Sequence, residues 1–184
     1  MLRDNSVLQK AFAAIQYPSL KLIIAPHEIS EKHIKELEKL FPGSIRYSQL
    51  AISRSPLATF LIIDNIGMLS RLYKYGYITY VGGGLRAMGV HNVPEAAVYY
   101  KPVLFGAYFR KYTEATGLVL SGGGLPFNDE KRNGIMLREL IEALLTNNEE
   151  YNFRANAAGE FVQTNKGATQ KIIQFIQEKR LLTS

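Results

Sequence analysis

Residues 81–112 read V-G-G-G-L-R-A-M-G-V-H-N-V-P-E-A-A-V-Y-Y-K-P-V-L-F-G-A-Y-F-R-K-Y, and no other stretch constrains the fold as much. An apolar run breaks into Gly82, Gly83 and Gly84. A short loop then brings His91, Asn92 and Glu95 to the start of an alanine-rich segment, and a second apolar run ends at Gly106. The pattern predicts strand, glycine loop, helix and strand, with polar groups gathered beyond a strand's carboxyl end. In open α/β sheets that is where ligands bind. Glycines accept positive φ and let a backbone approach an anion closely. Successive N–H groups in such a turn, with the first turn of the next helix, form a cradle for phosphate or carboxylate. Asn92 and Glu95 also have the spacing of a capping box, so for these two alone a helix cap and a ligand contact are both open. The triplet is not a spaced G-x-G-x-x-G, and no G-K-[ST] follows it, so a P-loop is excluded.

The rest of the chain repeats the alternation. Apolar groups at helical spacing predict a helix over 7–15, capped by Asp4 or Ser6. Strands are predicted over 20–25, 45–47, 59–63, 77–81 and 102–105, and helices over 30–40, 68–75, 112–120 and from 128 or 129 to 145. Residues 53–56 read as a polar loop. Leu125-Pro126-Phe127 is too short and too proline-interrupted to count as a strand. Two more helices, over 149–161 and 168–179, give a helical carboxyl-terminal tail. Short strands that are almost wholly apolar belong to a parallel sheet buried on both faces. The expected fold is therefore one α/β domain over 1–184, a Rossmann-like parallel sheet with helices on both faces. The first helix has no strand before it, which leads to the expectation of further residues upstream of Met1.

A chain of 184 residues with 47% apolar and 21% charged residues has the make-up of a single globular domain. Its formal charge of +6 favours an anionic ligand or surface without choosing among them. Without cysteine there is no disulfide, no thiolate chemistry and no cysteine metal site. No apolar run approaches the roughly 20 residues of a membrane span.

Further candidates sit at the same predicted sheet edge. Asp64 ends a strand, where its carboxylate either caps the next helix or holds a ligand hydroxyl. His27 and Glu28 follow another strand. His33 falls on a polar helical face and reads as solvated surface. No H-E-x-x-H is present, and the scattered His and carboxylate groups give no ligand spacing for a metal, so none is expected. Arg86, Lys101, Arg110 and Lys111 flank the central loop, either as phosphate clamps or as ordinary surface charge. The clustered tyrosines, among them Tyr73, Tyr77 and Tyr80, have the spacing of packing residues, and no nucleic-acid-binding module is recognisable. No G-x-S-x-G or other nucleophile arrangement appears. The inventory suits holding an anionic ligand better than breaking a bond.

These residues resemble a known family. A-P-H-E at 25–28, I-I-D-N-I-G-M-L at 62–69, Y-V-G-G-G at 80–84, H-N-V-P-E-A-A at 91–97 and K-P-V-L-F-G at 101–106 are similar to the carboxyl-terminal domain of 3-deoxy-D-manno-octulosonic acid (Kdo) transferases. These are glycosyltransferases of the GT-B class, and the resemblance covers essentially the whole chain. Ala96 and Ala107 stand where the family often has proline, and Pro26 precedes His27 where many relatives carry arginine.

The resemblance implies one half of a two-domain GT-B enzyme, binding the donor CMP-Kdo. On it, Glu95 holds the ribose hydroxyls, while His91, Asn92 and the helix-start amides surround phosphate and sugar. His27 approaches the nucleotide, and Asp64 belongs to the loop lining the cytidine side. It further implies an amino-terminal domain carrying the general base and the lipid A precursor site, so no catalytic residue is expected in this chain and the chain alone should be inactive. The parent enzyme is expected at the cytoplasmic face of the bacterial inner membrane, making lipopolysaccharide core, with no cofactor, metal or nucleic acid. Two alternatives remain open at this point: a GT-B domain binding a UDP-sugar, and a stand-alone nucleotide-binding module without catalysis.

Overall fold

The computed structural model describes residues 2–50, 58–86, 89–129 and 132–179. The loop expected over 53–56 lies outside the described residues. In chain order the elements are α1 (Leu2–Ala14), β1 (Leu22–Ile24), α2 (Glu31–Leu40), β2 (Ile45–Arg46) and α3 (Tyr47–Leu50). Next come β3 (Phe60–Ile62), α4 (Leu69–Leu72) with a 3-10 turn (Tyr73–Tyr75), β4 (Thr79–Val81), α5 (Pro94–Ala97) and β5 (Val103–Gly106). The last are α6 (Thr113–Leu120), β6 (Gly124–Phe127), α7 (Ile135–Thr146), α8 (Asn148–Asn165) and α9 (Ala168–Glu178).

All strand pairs are parallel, as the apolar strands require. β5 shows why: all four of its residues are buried. Leu104 joins a core built with α1, α2 and α7, while Val103 and Phe105 join a second core with α5, α6 and α8. Successive side chains of a strand point to opposite faces, so a helical layer covers each.

The single sheet expected from the sequence is in two halves. β1, β3 and β2 form one three-stranded sheet, and β4, β5 and β6 form another. β1 spends its described ladder bonds on β3, with the Leu22 amide donating to the Thr59 carbonyl at 2.9 Å and Ile63 to the Ile24 carbonyl at 2.8 Å. β4 turns to β5, where the Thr79 amide donates to the Pro102 carbonyl at 3.0 Å.

Three local expectations change. Residues 124–127 do form a strand, because β6 pairs only with β5 and an edge strand tolerates Pro126. α7 starts at Ile135, well after 128–129; the buried Asp129 caps it from a distance, accepting from the Met136 and Leu137 amides at 3.1 and 2.9 Å. His33 is buried, 8% exposed, on the inward side of α2 with Ile34 and Leu37. Ser30 caps that helix, with its hydroxyl accepting from the His33 amide at 3.3 Å.

Candidate functional site

The glycine loop is closed by its own backbone. The Gly84 amide donates to the Gly89 carbonyl at 2.8 Å, and the His91 amide to the Gly82 carbonyl at 3.2 Å. Gly83 and Gly84 take φ of +83° and +72°, in the left-handed region that favours glycine. Gly84 also lies against Gly106 at the end of β5: a Cβ on Gly106 would stand 2.0 Å from the Gly84 carbonyl carbon. The loop is thus pressed onto the neighbouring strand, with Gly82 and Gly83 left on the side of a large cavity.

That cavity, about 840 Å³, is lined at this end by His27, His91, Asn92 and Glu95 as well as Gly82 and Gly83. His27 comes from the loop after β1 and His91 from the loop after β4. Their rings stack at a centroid distance of 5.9 Å and an interplanar angle of 17°. The carboxyl ends of the two half-sheets therefore meet here.

The Asn92 side chain is not a helix cap. α5 begins at Pro94 with Val93 in the capping position and no side-chain capping bond. Asn92 Nδ2 instead donates to Glu95 Oε1 at 2.7 Å, which fixes the carboxylate in the first turn of α5. Tyr73 stands behind it; burial, with the Glu95 charge adding, pushes the tyrosine hydroxyl up to about 12.

Two expected residues are placed elsewhere. Gly84 lies under the loop and does not line the cavity. Nor does Asp64, whose carboxylate accepts from the Ser48 amide at 3.0 Å and from the Ser48 hydroxyl. Burial alone would raise the Asp64 carboxyl; the Ser48 bonds, aided by the Arg46 charge, outweigh it and hold it below the ordinary range. Glu28 likewise is bonded to the Ser30 hydroxyl, at 2.8 Å. Arg86, Lys101, Arg110 and Lys111 are not among the cavity's lining residues; Lys21 is. The described residues contain no group of three or more His, Cys, Asp or Glu placed to hold a metal ion.

Sequence reasoning missed two groups at the cavity. Asp4 of α1 reaches across 79 positions to the glycine loop, where its Oδ2 accepts from the Gly83 amide at 3.1 Å. His33 lines the cavity from α2. A contact so distant in sequence leaves no local signal, and His33 sits among charged residues that masked its burial.

No family model matches the chain. Among curated proteins it is 30% identical over 141 residues to the 3-deoxy-D-manno-octulosonic acid transferase of Aquifex aeolicus, covering 75% of this chain and 39% of that one. The Haemophilus influenzae transferase of the same name is 24% identical over 178 residues, covering 95% and 41%. Among solved structures, the C-terminal CMP-Kdo binding domain of WaaA from Acinetobacter baumannii superposes with a TM-score of 0.72 at 21% identity, over 87% of this chain and 83% of that one. The chain belongs with the Kdo transferases. It spans about two fifths of the length of these two relatives. The WaaA likeness establishes the fold, and the cavity of this Kdo-transferase domain lies at the carboxyl ends of its central strands, where such folds take ligands.

Proposed function

We propose that this domain is the donor-binding half of a glycosyltransferase that moves Kdo from CMP-Kdo to a lipid A precursor in lipopolysaccharide core synthesis. One arrangement carries the reading: Glu95, held by Asn92, beside the Gly82–Gly83 turn and the stacked His27 and His91. A carboxylate fixed at a helix start accepts two hydrogen bonds from vicinal ribose hydroxyls. On donor binding the Gly83 amide, which otherwise donates to Asp4, and the first turn of α5 offer N–H groups to the phosphate. His27 and His91 present imidazole donors and ring faces to the nucleotide or sugar.

The likeness to a CMP-Kdo binding domain, with similarity to Kdo transferases, supports CMP-Kdo over other nucleotide sugars. On this reading the chain holds and orients the donor, and the acceptor, the general base and the contact with the inner membrane's cytoplasmic face belong to the rest of the enzyme. Donor binding is assigned no metal, so EDTA should leave the affinity unchanged. Calorimetric titration with CMP, CDP, UMP and UDP tests the donor class. CMP should bind tightest; a preference for UDP would transfer the domain to the UDP-sugar enzymes.

A further inference from the structure

The Gly83 amide has one hydrogen to donate, and in the free domain it is already engaged by Asp4 Oδ2 at 3.1 Å. A phosphate oxygen that takes this amide must displace the carboxylate. Where the carboxylate then goes is set by the packing around it.

Asp4 stands in the first turn of α1. Val7 and Leu8, three and four residues on and so on the same face of the helix, belong to the core against which Tyr80 of β4 packs. The strand points the same way. Tyr80 and Gly82 are two residues apart along an extended backbone and face one side, and a Cβ on Gly82 would stand 4.0 Å from Asp4 Oδ2. The Tyr80 side chain is therefore directed to the side of β4 on which Asp4 lies. Its hydroxyl oxygen is buried and, among the described residues, has no hydrogen-bond partner. Burial, and after it the Asp4 charge, raise this hydroxyl above its ordinary range, so it keeps its hydrogen. Asp129 is the other carboxylate whose charge reaches it, but the Asp129 oxygens are occupied by the Met136 and Leu137 amides. A buried donor without an acceptor costs free energy, and native structures hold few of them.

We propose that Asp4 keeps the place of the donor's phosphate on the Gly83 amide, and that the arriving phosphate turns its carboxylate onto the Tyr80 hydroxyl. Rotation of the Asp4 side chain suffices, with α1 left in place. In the free domain the carboxylate holds the glycine turn in the shape a phosphate needs. In the bound domain the new Asp4–Tyr80 bond pairs the orphan hydroxyl, so part of the ligand's affinity comes from a contact the ligand does not itself make. Tyr80 is a positioning residue, acting through Asp4. The inference rests on the donor reading for a phosphate at this turn, but not on which nucleotide carries it.

The test follows the Gly83 amide and the Tyr80 ζ-carbon by NMR in the 184-residue protein. CMP, UDP and inorganic phosphate are added separately in an otherwise phosphate-free buffer. In wild type CMP should shift both signals together, and in Asp4→Ala the Gly83 amide alone. Calorimetry gives the second readout. Tyr80→Phe should weaken CMP binding about tenfold, the effect of losing a hydrogen bond to a charged group. The same substitution made in Asp4→Ala should change affinity by less than about twofold, as for uncoupled sites. Because the hydroxyl has no partner in the free domain, Tyr80→Phe without ligand should unfold at the wild-type temperature, which a structural role would not allow. If CMP shifts Gly83 while the Tyr80 carbon stays still, or if Tyr80→Phe weakens CMP equally with and without Asp4, the proposal is overturned and the donor reading stands. If UDP or inorganic phosphate moves both signals and CMP moves neither, the proposal stands and the CMP reading fails. If no probe shifts Gly83 in either protein, phosphate does not come to this turn and the proposal is overturned, while the calorimetric response to CMP decides the donor reading separately.

Discussion

Asp4 Oδ2 accepts a hydrogen bond from the Gly83 amide at 3.1 Å, so a carboxylate from α1 is seated on the turn proposed to receive the donor's phosphate. The contact ties the first helix to the glycine loop, and it places negative charge where the ligand is negative. At about 6 Å and an effective dielectric near 40, that repulsion is on the order of 1 kcal/mol. Asp4→Asn keeps an acceptor oxygen and removes the charge. Affinity for CMP should rise about three- to tenfold in low salt, and the gain should shrink at high salt as screening takes over. Unchanged or weaker binding in a folded variant means that the phosphate does not approach this turn.

The pairing of Asp64 with Ser48 gives a pH signature. Its carboxyl is held below the ordinary carboxylate range in the fold. A depressed folded value stabilises the protein above the unfolded value and loses that contribution as pH falls through the folded one. Ser48→Ala removes the hydroxyl bond, so the Asp64 titration followed by carbonyl NMR should move upward. The variant should be less stable than wild type near neutral pH, and the difference should close on the acid side. A titration curve unmoved by the substitution would remove Ser48 as the cause.

Arg46 bridges Glu38 and Glu31, with closest contacts of 2.7 and 2.8 Å, tying β2 to α2. Both glutamates are lowered, first of all by the Arg46 hydrogen bonds. Partly exposed pairs contribute little, so Arg46→Met should cost only about 1 kcal/mol by urea unfolding at neutral pH. By the same linkage the loss should fade as the glutamates protonate in acid. A loss that persists undiminished below both glutamate titrations would mean that the arginine acts through packing of its stem.

The close approach of Gly106 to Gly84 is a backbone contact that nothing flexible can relieve. Gly106→Ala should therefore destabilise by several kcal/mol, in the range of overpacked core positions. Chemical denaturation would show it as a fall in the midpoint with little change in slope. Wild-type stability in this variant would show that the glycine loop is free to move away from β5.

Much of this was legible in the sequence because it is local. The β4–loop–α5–β5 unit reads directly from the change between apolar runs, glycines and an alanine-rich turn, and Ser30 announces its helix. Gly82, Gly83, His91, Asn92 and Glu95, neighbours in the sequence, all line the cavity, although Asn92 bonds Glu95 rather than the helix start. Burial of His33 was hidden, since i,i+3 spacing to Glu36 looks like surface while α2 turns that position inward. The Asp4 contact, the Asp64–Ser48 pair and the gap between β1 and β4 depend on tertiary placement across loops. Composition and periodicity carry no trace of these.

Glu95 is the residue proposed to hold the ribose of the donor nucleotide. Asn92 already fixes its carboxylate, and Glu95→Gln retains an oxygen for that bond, so the fold should survive. Charge-assisted bonds of this kind contribute roughly 1.5–3 kcal/mol, or about 10- to 150-fold in affinity. The decisive measurement is a calorimetric cycle of wild type and Glu95→Gln against CMP and 2′,3′-dideoxy-CMP, paired with thermal unfolding of both proteins. Wild type should bind CMP at least tenfold tighter than the dideoxy analogue, and the folded variant should bind CMP at least tenfold more weakly and discriminate little between the two. If the folded variant binds CMP as well as wild type does and keeps the discrimination, Glu95 is not the ribose ligand and the site assignment fails.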